Sequence, residues 1–420
     1  MWSKVNYFLV NTSLNGFKYL AEDDRPAWKK ILARIFWKLI IATAIYLMSS
    51  LLFETISQFK KDSTTINLNT NYYEWENNYP AISICMGKAQ STDGLQSHMI
   101  KYWKTMNMTT VAKYTYFKDM RALLFLSATD TFEKIGASNG ICHKYNSTCG
   151  IDPEILRSIL VTKKCEDFIT EIKFRNKKYE CDELFKFHIT EIGYCFTANS
   201  LYFNEPENLK NFDTLPMKYF NLDLNNRKLE IHYTDHEIDS FNIFVHSPEE
   251  NPDFAMTGHS LKKSGANSYY AYRTVEIENQ PEVYDEVISA RECRFPFEYL
   301  IDDELNIKLP YSISNCRFLE RVKKEIEKCN CTLPIGILPD HLTRCNITRF
   351  QCAKACYESF KNPKECEVPS CLAMEVAEIG HYEMDSEDGF NKFVIEVLNN
   401  PTLKYVRRVK HTILDRTGRK

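Results

Sequence analysis

After residue 54 the chain has no apolar run of the roughly 20 residues that a helix needs to cross a bilayer. From Phe390 to Leu414 every uncharged run is cut short by Lys392, Glu396, Lys404, Arg407, Arg408 or Lys410, and the sequence closes on Asp415-Arg416-Thr417-Gly418-Arg419-Lys420. Excess charge is missing too: 53 Lys and Arg against 56 Asp and Glu leave a net −3, so no nucleic-acid partner is implied. Only 13 glycines and 15 prolines, with no internal repeat, exclude collagen-like, low-complexity and solenoid chains. There is no Asp-x-Asp to hold a nucleotide-bound cation and no His-Glu-x2-His zinc motif. His246 and His381 stand isolated, and Asp302-Asp303-Glu304 reads as a solvated turn. No catalytic residue, metal ligand or cofactor is therefore expected.

What is abundant is aromatic and sulfur-bearing. The 24 Tyr and 26 Phe argue for a packed core rather than disorder, and nine of the 15 cysteines fall between Cys293 and Cys371. One apolar stretch runs from Leu39 to Phe53, between Lys38 and Glu54. Its fifteen residues are short for a span, but Ile35, Phe36 and Trp37 lengthen it, and Arg34 and Lys38 can snorkel toward headgroups. A signal peptide has an equally short apolar region; against it, 38 residues precede the stretch and no small-residue cleavage pattern follows Phe53. The expectation is a transmembrane helix over 35–57. Arg25, Lys29, Lys30, Arg34 and Lys38 precede it and only Lys60 and Lys61 closely follow, which places residues 1–34 in the cytosol and the bulk of the chain outside the plasma membrane. Disulfides persist in that compartment. The sequons at Asn107, Asn146 and Asn346 would be glycosylated there, whereas Asn330 sits between closely spaced cysteines and Asn11 would stay bare in the cytosol.

Residues 58–403 read as one α+β ectodomain with helical elaborations. Ala81–Cys85 is strand-like, as are 228–247, where Leu229, Ile231 and Tyr233 alternate, and a strand pair over 268–289 about Gln280-Pro281. Leu319, Val322, Ile326 and Cys329 recur at helical spacing, which predicts an amphipathic helix over Tyr311–Cys329 with Ser314 as N-cap. Helices are also expected over 348–360, 121–126 and 153–161. Cys329-x-Cys331 puts two thiols at a helix end, where they cannot easily bond each other. Zinc ligation by Cys-x-Cys and Cys352-x3-Cys356 is the rival to disulfides, and spacing alone does not fix connectivity.

Five landmarks recur in order. They are Thr12-Ser13-Leu14-Asn15-Gly16-Phe17-Lys18-Tyr19, with the approach Arg34-Ile35-Phe36-Trp37; Tyr79-Pro80-Ala81-Ile82-Ser83-Ile84-Cys85; Cys181-x3-Phe185 leading to Thr190-x2-Gly193-x-Cys195-Phe196-x2-Asn199; Val245-His246-x-Pro248-x-Glu250-x-Pro252; and Cys293-Arg294-Phe295-x2-Glu298 with the cysteines through Cys366-x2-Pro369-Ser370-Cys371. Across residues 12–415 the chain resembles the degenerin/epithelial sodium channel (amiloride-sensitive sodium channel) family, in its pickpocket branch.

The resemblance implies pairs Cys85–Cys195, Cys293–Cys371, Cys316–Cys366, Cys329–Cys352 and Cys331–Cys345; elimination adds Cys142–Cys149 and Cys165–Cys181 and leaves Cys356 as the odd thiol. Glu320 stands where the family has a further cysteine, and the region of Lys364 lacks its usual partner. Asn15, beside Gly16, stands where the family has histidine in a cytosolic gating loop, and so does not titrate near neutral pH. A disulfide-stapled helical lever at 292–372 is implied, together with a homo- or heterotrimer in the lipid bilayer and sodium as a transported ion rather than a bound cofactor. The family's filter lies on a second span, toward which residues 404–420 lead, so no filter residue can be named here. The functional expectation is a stimulus-gated, sodium-selective channel subunit with its extracellular ligand unknown. The alternatives are a non-conducting single-pass glycoprotein that joins full-length subunits, and a type II secretory enzyme such as a glycosyltransferase.

Overall fold

In a computed structural model of the chain, the described residues are 26–61, 63–69, 76–86, 164–192, 194–203, 212–220, 227–233, 241–253, 255–261, 266–333, 366–386, 391–398 and 404–410, with short pieces near 7–12, at 209 and between 336 and 363. Asn15, Gly16, Cys142, Cys149, the sequons at Asn107, Asn146 and Asn346, and the helix-like runs at 121–126 and 153–161 lie outside the described residues. The chain divides into two compact parts: Met1–Thr65 with Asp285–Arg291 and Val409–Lys420, and Ile66–Tyr284 with Glu292–Arg408.

The first part is built on helix α1, Ala27–Lys61. Within it Ile31–Ser57, 27 residues, is long and apolar enough to cross a membrane. At 1.5 Å per residue that is about 40 Å, against a hydrocarbon core of about 30 Å. The charges at Arg34 and Lys38 thus lie inside one continuous helix, and the fifteen-residue run is only its middle. Its large side chains, from Trp28 through Leu39 and Tyr46 to Phe53, are exposed around the helix, as suits a helix surrounded by lipid. The Ser49 and Thr55 hydroxyls donate back to the carbonyls of Ile45 (2.6 Å) and Leu51 (2.8 Å), so they present no unpaired donor. Beyond the helix, Ser63 N–H donates to the Ala290 carbonyl at 3.2 Å and its carbonyl accepts from Lys410 N–H at 2.7 Å. Three segments distant in sequence therefore meet where α1 ends.

The second part carries the sheets. In chain order the strands are β1 Thr64–Asn69, β2 Glu76–Asn78, β3 Ala81–Met86, β4 Ile169–Phe174, β5 Lys177–Tyr179, β6 Phe185–Ile189, β7 Tyr194–Ala198, β8 Lys218–Phe220, β9 Lys228–Tyr233, β10 Phe241–His246, β11 His259–Ser260, β12 Ala266–Asn279, β13 Leu300–Asp302, β14 Ile307–Leu309, β15 Met374–Asp385, β16 Asn391–Val397 and β17 Lys404–Val409. Short helix α2 (Cys181–Leu184) and the long α4 (Ile313–Cys329) complete it, while short helix α3 (Ile288–Arg291) belongs to the first part. One sheet runs β1-β17-β12-β16-β9-β4-β5, with β15 added to β12; a second runs β11-β10-β3-β7-β6; β13-β14 and β2-β8 are separate pairs. Tyr79, Ile82, Ile84, Phe174, Phe196, Leu229, Ile231 and Phe393 belong to one buried cluster between them. Each such side chain contributes about 1.5–3 kcal/mol of burial.

The second and third landmarks meet in this core. Tyr79 is fully buried, and its hydroxyl donates to the Ile395 carbonyl at 2.7 Å. Asn199, in the left-handed region at φ 59°, donates through Nδ2 to the Tyr79 carbonyl and accepts the Met217 N–H at Oδ1, 2.9 Å. Asparagine fits because it tolerates that backbone and satisfies polar groups that a buried loop cannot offer to water.

Two expectations need correction. Residues 268–289 are not a strand pair: β12 is one strand of 14 residues. Gln280 N–H still donates to the Arg407 carbonyl (3.0 Å), but Pro281 has no N–H, and the chain coils into a 3₁₀ turn over Pro281–Asp285 and then α3. The sheet also continues past residue 403, because Lys404–Val409 is β17, parallel to β12. Val406 and Arg407 are buried, and the Arg407 guanidinium donates to Asn279 Oδ1 at 3.1 Å and the Cys371 carbonyl at 3.3 Å.

Replacing Asn199 by Ala removes buried hydrogen bonds worth about 1 kcal/mol each and takes away the side-chain amide that makes the left-handed backbone tolerable, a conformation that costs an alanine about 1–2 kcal/mol. Asn199→Gly keeps only the first loss. Thermal unfolding of the detergent-solubilised protein should rank wild type above Gly above Ala; equal midpoints for Gly and Ala would refute the backbone contribution.

Candidate functional site

Helix α4 is fixed to its surroundings at both ends and at its middle. Its N-cap is Ser312, whose Oγ accepts Asn315 N–H at 3.1 Å. Ser314, the expected cap, lies inside the helix and accepts the Asn251 N–H at 2.9 Å instead. The cap moves because a second acceptor serves this end: the Glu250 carboxylate takes the N–H groups of Ile313 (3.0 Å) and Ser314 (2.8 Å). A carboxylate at a helix N-terminus satisfies otherwise unpaired donors and meets the positive end of the helix dipole. Asn251 Nδ2 donates to Asn315 Oδ1 at 2.8 Å, and Asp253 pairs with Arg317 at 3.1 Å. The Glu250-x-Pro252 landmark is thus the seat of α4.

Along the helix, Phe318, Leu319 and Val322 pack with Leu300, Ile307, Leu309 and Tyr311. Gly336, at φ 79°, lies against Phe318; a β-carbon there would sit 2.2 Å from the ring. Beside this stripe is a buried ion cluster. Arg321 donates through Nε to Glu191 and through Nη1 to Glu325, both at 2.7 Å, and its side chain is 2% exposed. Burial works against the Arg321 charge, but Glu325 and Glu191 outweigh it and hold its pKa above the ordinary arginine value. Burial pushes Glu191 above the usual carboxylate range despite Arg321, with Asp253 and Glu325 adding like charge. One guanidinium shared by two carboxylates leaves the second short of compensation, which reconciles the two directions. Glu325 also accepts Thr332 Oγ1 (2.8 Å) and Leu333 N–H (2.9 Å), locking the segment beyond α4. Asn330 closes the helix in the left-handed region, its N–H on the Ile326 carbonyl at 2.9 Å.

Disulfides join Cys316 to Cys366, Cys329 to Cys352, Cys331 to Cys345 and Cys293 to Cys371 about this helix, and Cys85 to Cys195 and Cys165 to Cys181 in the β part. Cys356 is buried and forms no disulfide; its Sγ lies 3.7 Å from that of Cys329, and burial raises its pKa. Of the expected helix over 348–360, Cys352, Ala353, Ala355 and Cys356 are described, and all are helical. Glu320 pairs with Lys323 at 3.2 Å. A cavity of about 30 Å³, bordered by Glu191, Tyr202, Asn251, Asp253 and Phe318, is large enough for one water.

Two histidines lie beneath the seat of α4. His246 Nδ1 donates to the Ser247 carbonyl (2.9 Å) and its Nε2 faces Ser83 Oγ (2.8 Å), so it is not isolated. Burial pushes it down to about 4, and His188, buried and next to the His246 charge, also to about 4. Burial drives Glu249 and Glu250 the other way. The Ser83–His246 pair is closed off from solvent, and the arrangement holds a helix in one position.

Arg321, Glu325 and Glu191 escaped the sequence reading, although a signal was present. Residues 318, 322, 325 and 329 form one helical stripe, so Glu325 falls among apolar positions, and its partner lies one turn back at Arg321.

A membrane-crossing helix joined to a large, disulfide-rich α+β part defines the class. A family model described as the amiloride-sensitive sodium channel matches residues 8–377, and the chain belongs to that family. It is 22% identical over 363 residues to pickpocket protein 28 of Drosophila melanogaster, covering 78% of this chain and 55% of that protein. The chain thus spans about half the length of the curated relative it matches.

Arg321→Met leaves two buried carboxylates uncompensated and should cost about 3–5 kcal/mol, read from denaturant unfolding. Adding Glu191→Gln and Glu325→Gln should recover most of that loss; no recovery would show that Arg321 acts by packing alone.

The histidines set a pH dependence. Their folded pKa values, about 4, lie below the unfolded value near 6.5, so their contribution is complete above about pH 6.5 and is lost as pH falls toward 4. Melting midpoints followed over that window should fall less steeply for His246→Gln than for wild type; parallel slopes would refute the assignment.

Proposed function

We propose that this chain is a subunit of a stimulus-gated, sodium-selective, amiloride-sensitive channel. It sits in the plasma membrane with its amino terminus in the cytosol and assembles as a homo- or heterotrimer. The observation that carries the reading is the family match over residues 8–377. The construction of α4 supports a mechanical role for the ectodomain. Its N-terminus is held by Glu250, its middle by Glu191 and its far end by Cys329–Cys352, so a displacement at one end moves the helix as a body instead of bending it. In this reading α1 is one of the spans, and the ion path is completed by a second apolar span. Asn107, Asn146 and Asn346 carry extracellular glycans, and Asn15-Gly16 lies in the cytosolic gating loop.

The reading is tested by sequencing the transcript beyond Lys420 and expressing the full reading frame in oocytes with and without related subunits. An apolar segment of about 20 residues past Lys420 and an amiloride-blocked sodium current are the expected results. A stop codon directly after Lys420, with surface expression and no current in any combination, would overturn it in favour of a non-conducting partner. A mobility shift removed by glycosidase, and lost in steps with Asn107→Gln, Asn146→Gln and Asn346→Gln, checks the orientation.

A further inference from the structure

His381, isolated in sequence, has two partners in the fold. Glu378 reaches His381 Nδ1 through Oε1 at 2.8 Å and His259 Nε2 through Oε2 at 2.9 Å. The two imidazole centroids are 5.5 Å apart, and the ligand atoms of all three residues lie within 4.8 Å of one another. His259 comes from β11 of the five-stranded sheet, and Glu378 and His381 from β15 of the larger one.

A β-bulge makes the grouping possible. Side chains three apart on a regular strand point to opposite faces. Against β12, however, Tyr272 pairs with Glu378, Ala271 with Gly380 and Tyr270 with His381, so Ile379 is the extra residue. The insertion resets the alternation and turns Glu378 and His381 to one face, the face of Tyr270 and Tyr272; re-aiming side chains is a recognised use of bulges. The Tyr270 ring closes the floor, with its centroid 4.7 Å from that of His259 and 6.1 Å from that of His381. Among the described residues the neighbouring cations face away: Lys392 lies over Tyr269, and Arg273 alternates with Tyr272. His381 is 56% exposed, Glu378 32% and His259 26%, so an ion can enter from solvent.

We propose that His259, Glu378 and His381 form a binding site for a borderline divalent cation, zinc in the first instance. Two neutral imidazoles and one carboxylate are a ligand set that zinc favours over calcium or magnesium, and three protein ligands leave the fourth tetrahedral position to water. The cation would take the place of the hydrogen bonds that now join the three residues. It would tie β11 to β15, one sheet to the other, without using any residue of the α4 seat.

The test is calorimetric titration of the purified, metal-free full chain in detergent with zinc sulfate, paired with X-ray absorption of the zinc-loaded protein. The expected result is a zinc equivalent that is lost, or weakened tenfold or more, in His259→Ala and in Glu378→Gln, and unchanged in Cys356→Ala. The absorption spectrum should fit two imidazole nitrogens and light oxygen ligands near about 2.0–2.1 Å, with no sulfur. His381→Gln alters the most exposed ligand and keeps the question open to refutation if another variant does not fold. No zinc uptake with the metal in large excess would overturn the proposal. So would undiminished affinity in a folded His259→Ala or His381→Gln variant that melts lower; the triad would then be only an ionic tie between sheets.

Discussion

The position of α4 depends on one buried charge. Arg321 has left water almost completely, and a guanidinium in that state must be surrounded by acceptors or the fold loses several kcal/mol. Its two acceptors come from different parts of the chain: Glu191 from the turn after β6, and Glu325 from α4 itself. An apolar seam would tolerate a slide of a helical turn, about 5.4 Å, with little change in buried area. A buried charge does not, because every other position strands it. A hydrophobic replacement of equal volume could be as stable, so the contribution of this cluster is positional uniqueness more than net stability.

Around that fixed point, two kinds of constraint act on different states. The Cys316–Cys366 bridge closes a separation of 50 residues and Cys293–Cys371 one of 78, and such links chiefly restrict the unfolded chain. Hydrogen bonds to Glu250 and Glu325 act only once α4 exists. Cross-links keep the segments near each other, and the buried carboxylates select one geometry among those the cross-links allow. A body that conveys displacement needs both, since tethering without registration leaves slack.

Much of this was legible because landmark residues are ones that a fold cannot exchange freely. Asn199 answers a left-handed backbone and two backbone groups, Glu250 answers bare helix N–H donors, and Tyr79 fills a closed space while satisfying a distant carbonyl. Misreadings arose where meaning depends on a partner. Ser314 and Ser312 are equivalent as cap signals until Glu250 serves the same donors. Arg407 and Lys404 look like breaks in an apolar run, yet belong to a strand, because Asn279 and the Cys371 carbonyl wait for the guanidinium. The bulge at Ile379 is marked in the sequence only by the neighbouring Gly380, which does not by itself announce that Glu378 and His381 share a face.

Burial is the main reason that one short segment holds groups with opposite responses to acid. Between His246 and Glu250 the chain passes from β10 to the seat of α4. His246 faces Ser83 of β3, where desolvation favours the neutral imidazole and acid is unfavourable to the fold. Glu249 is buried against Ser247, whose hydroxyl also accepts the Met374 N–H of β15, and Glu250 holds the helix. Desolvation favours the neutral carboxyl at both, so the folded state takes up protons more readily than the unfolded chain and gains as pH falls through their raised pKa values. For Glu250 that gain carries a structural cost, since a neutral carboxyl is a weaker acceptor for the Ile313 and Ser314 N–H groups and no longer opposes the helix dipole. Acid therefore weakens the grip on α4 at the same residue whose protonation is favoured by burial, while a few residues away it acts against the sheet.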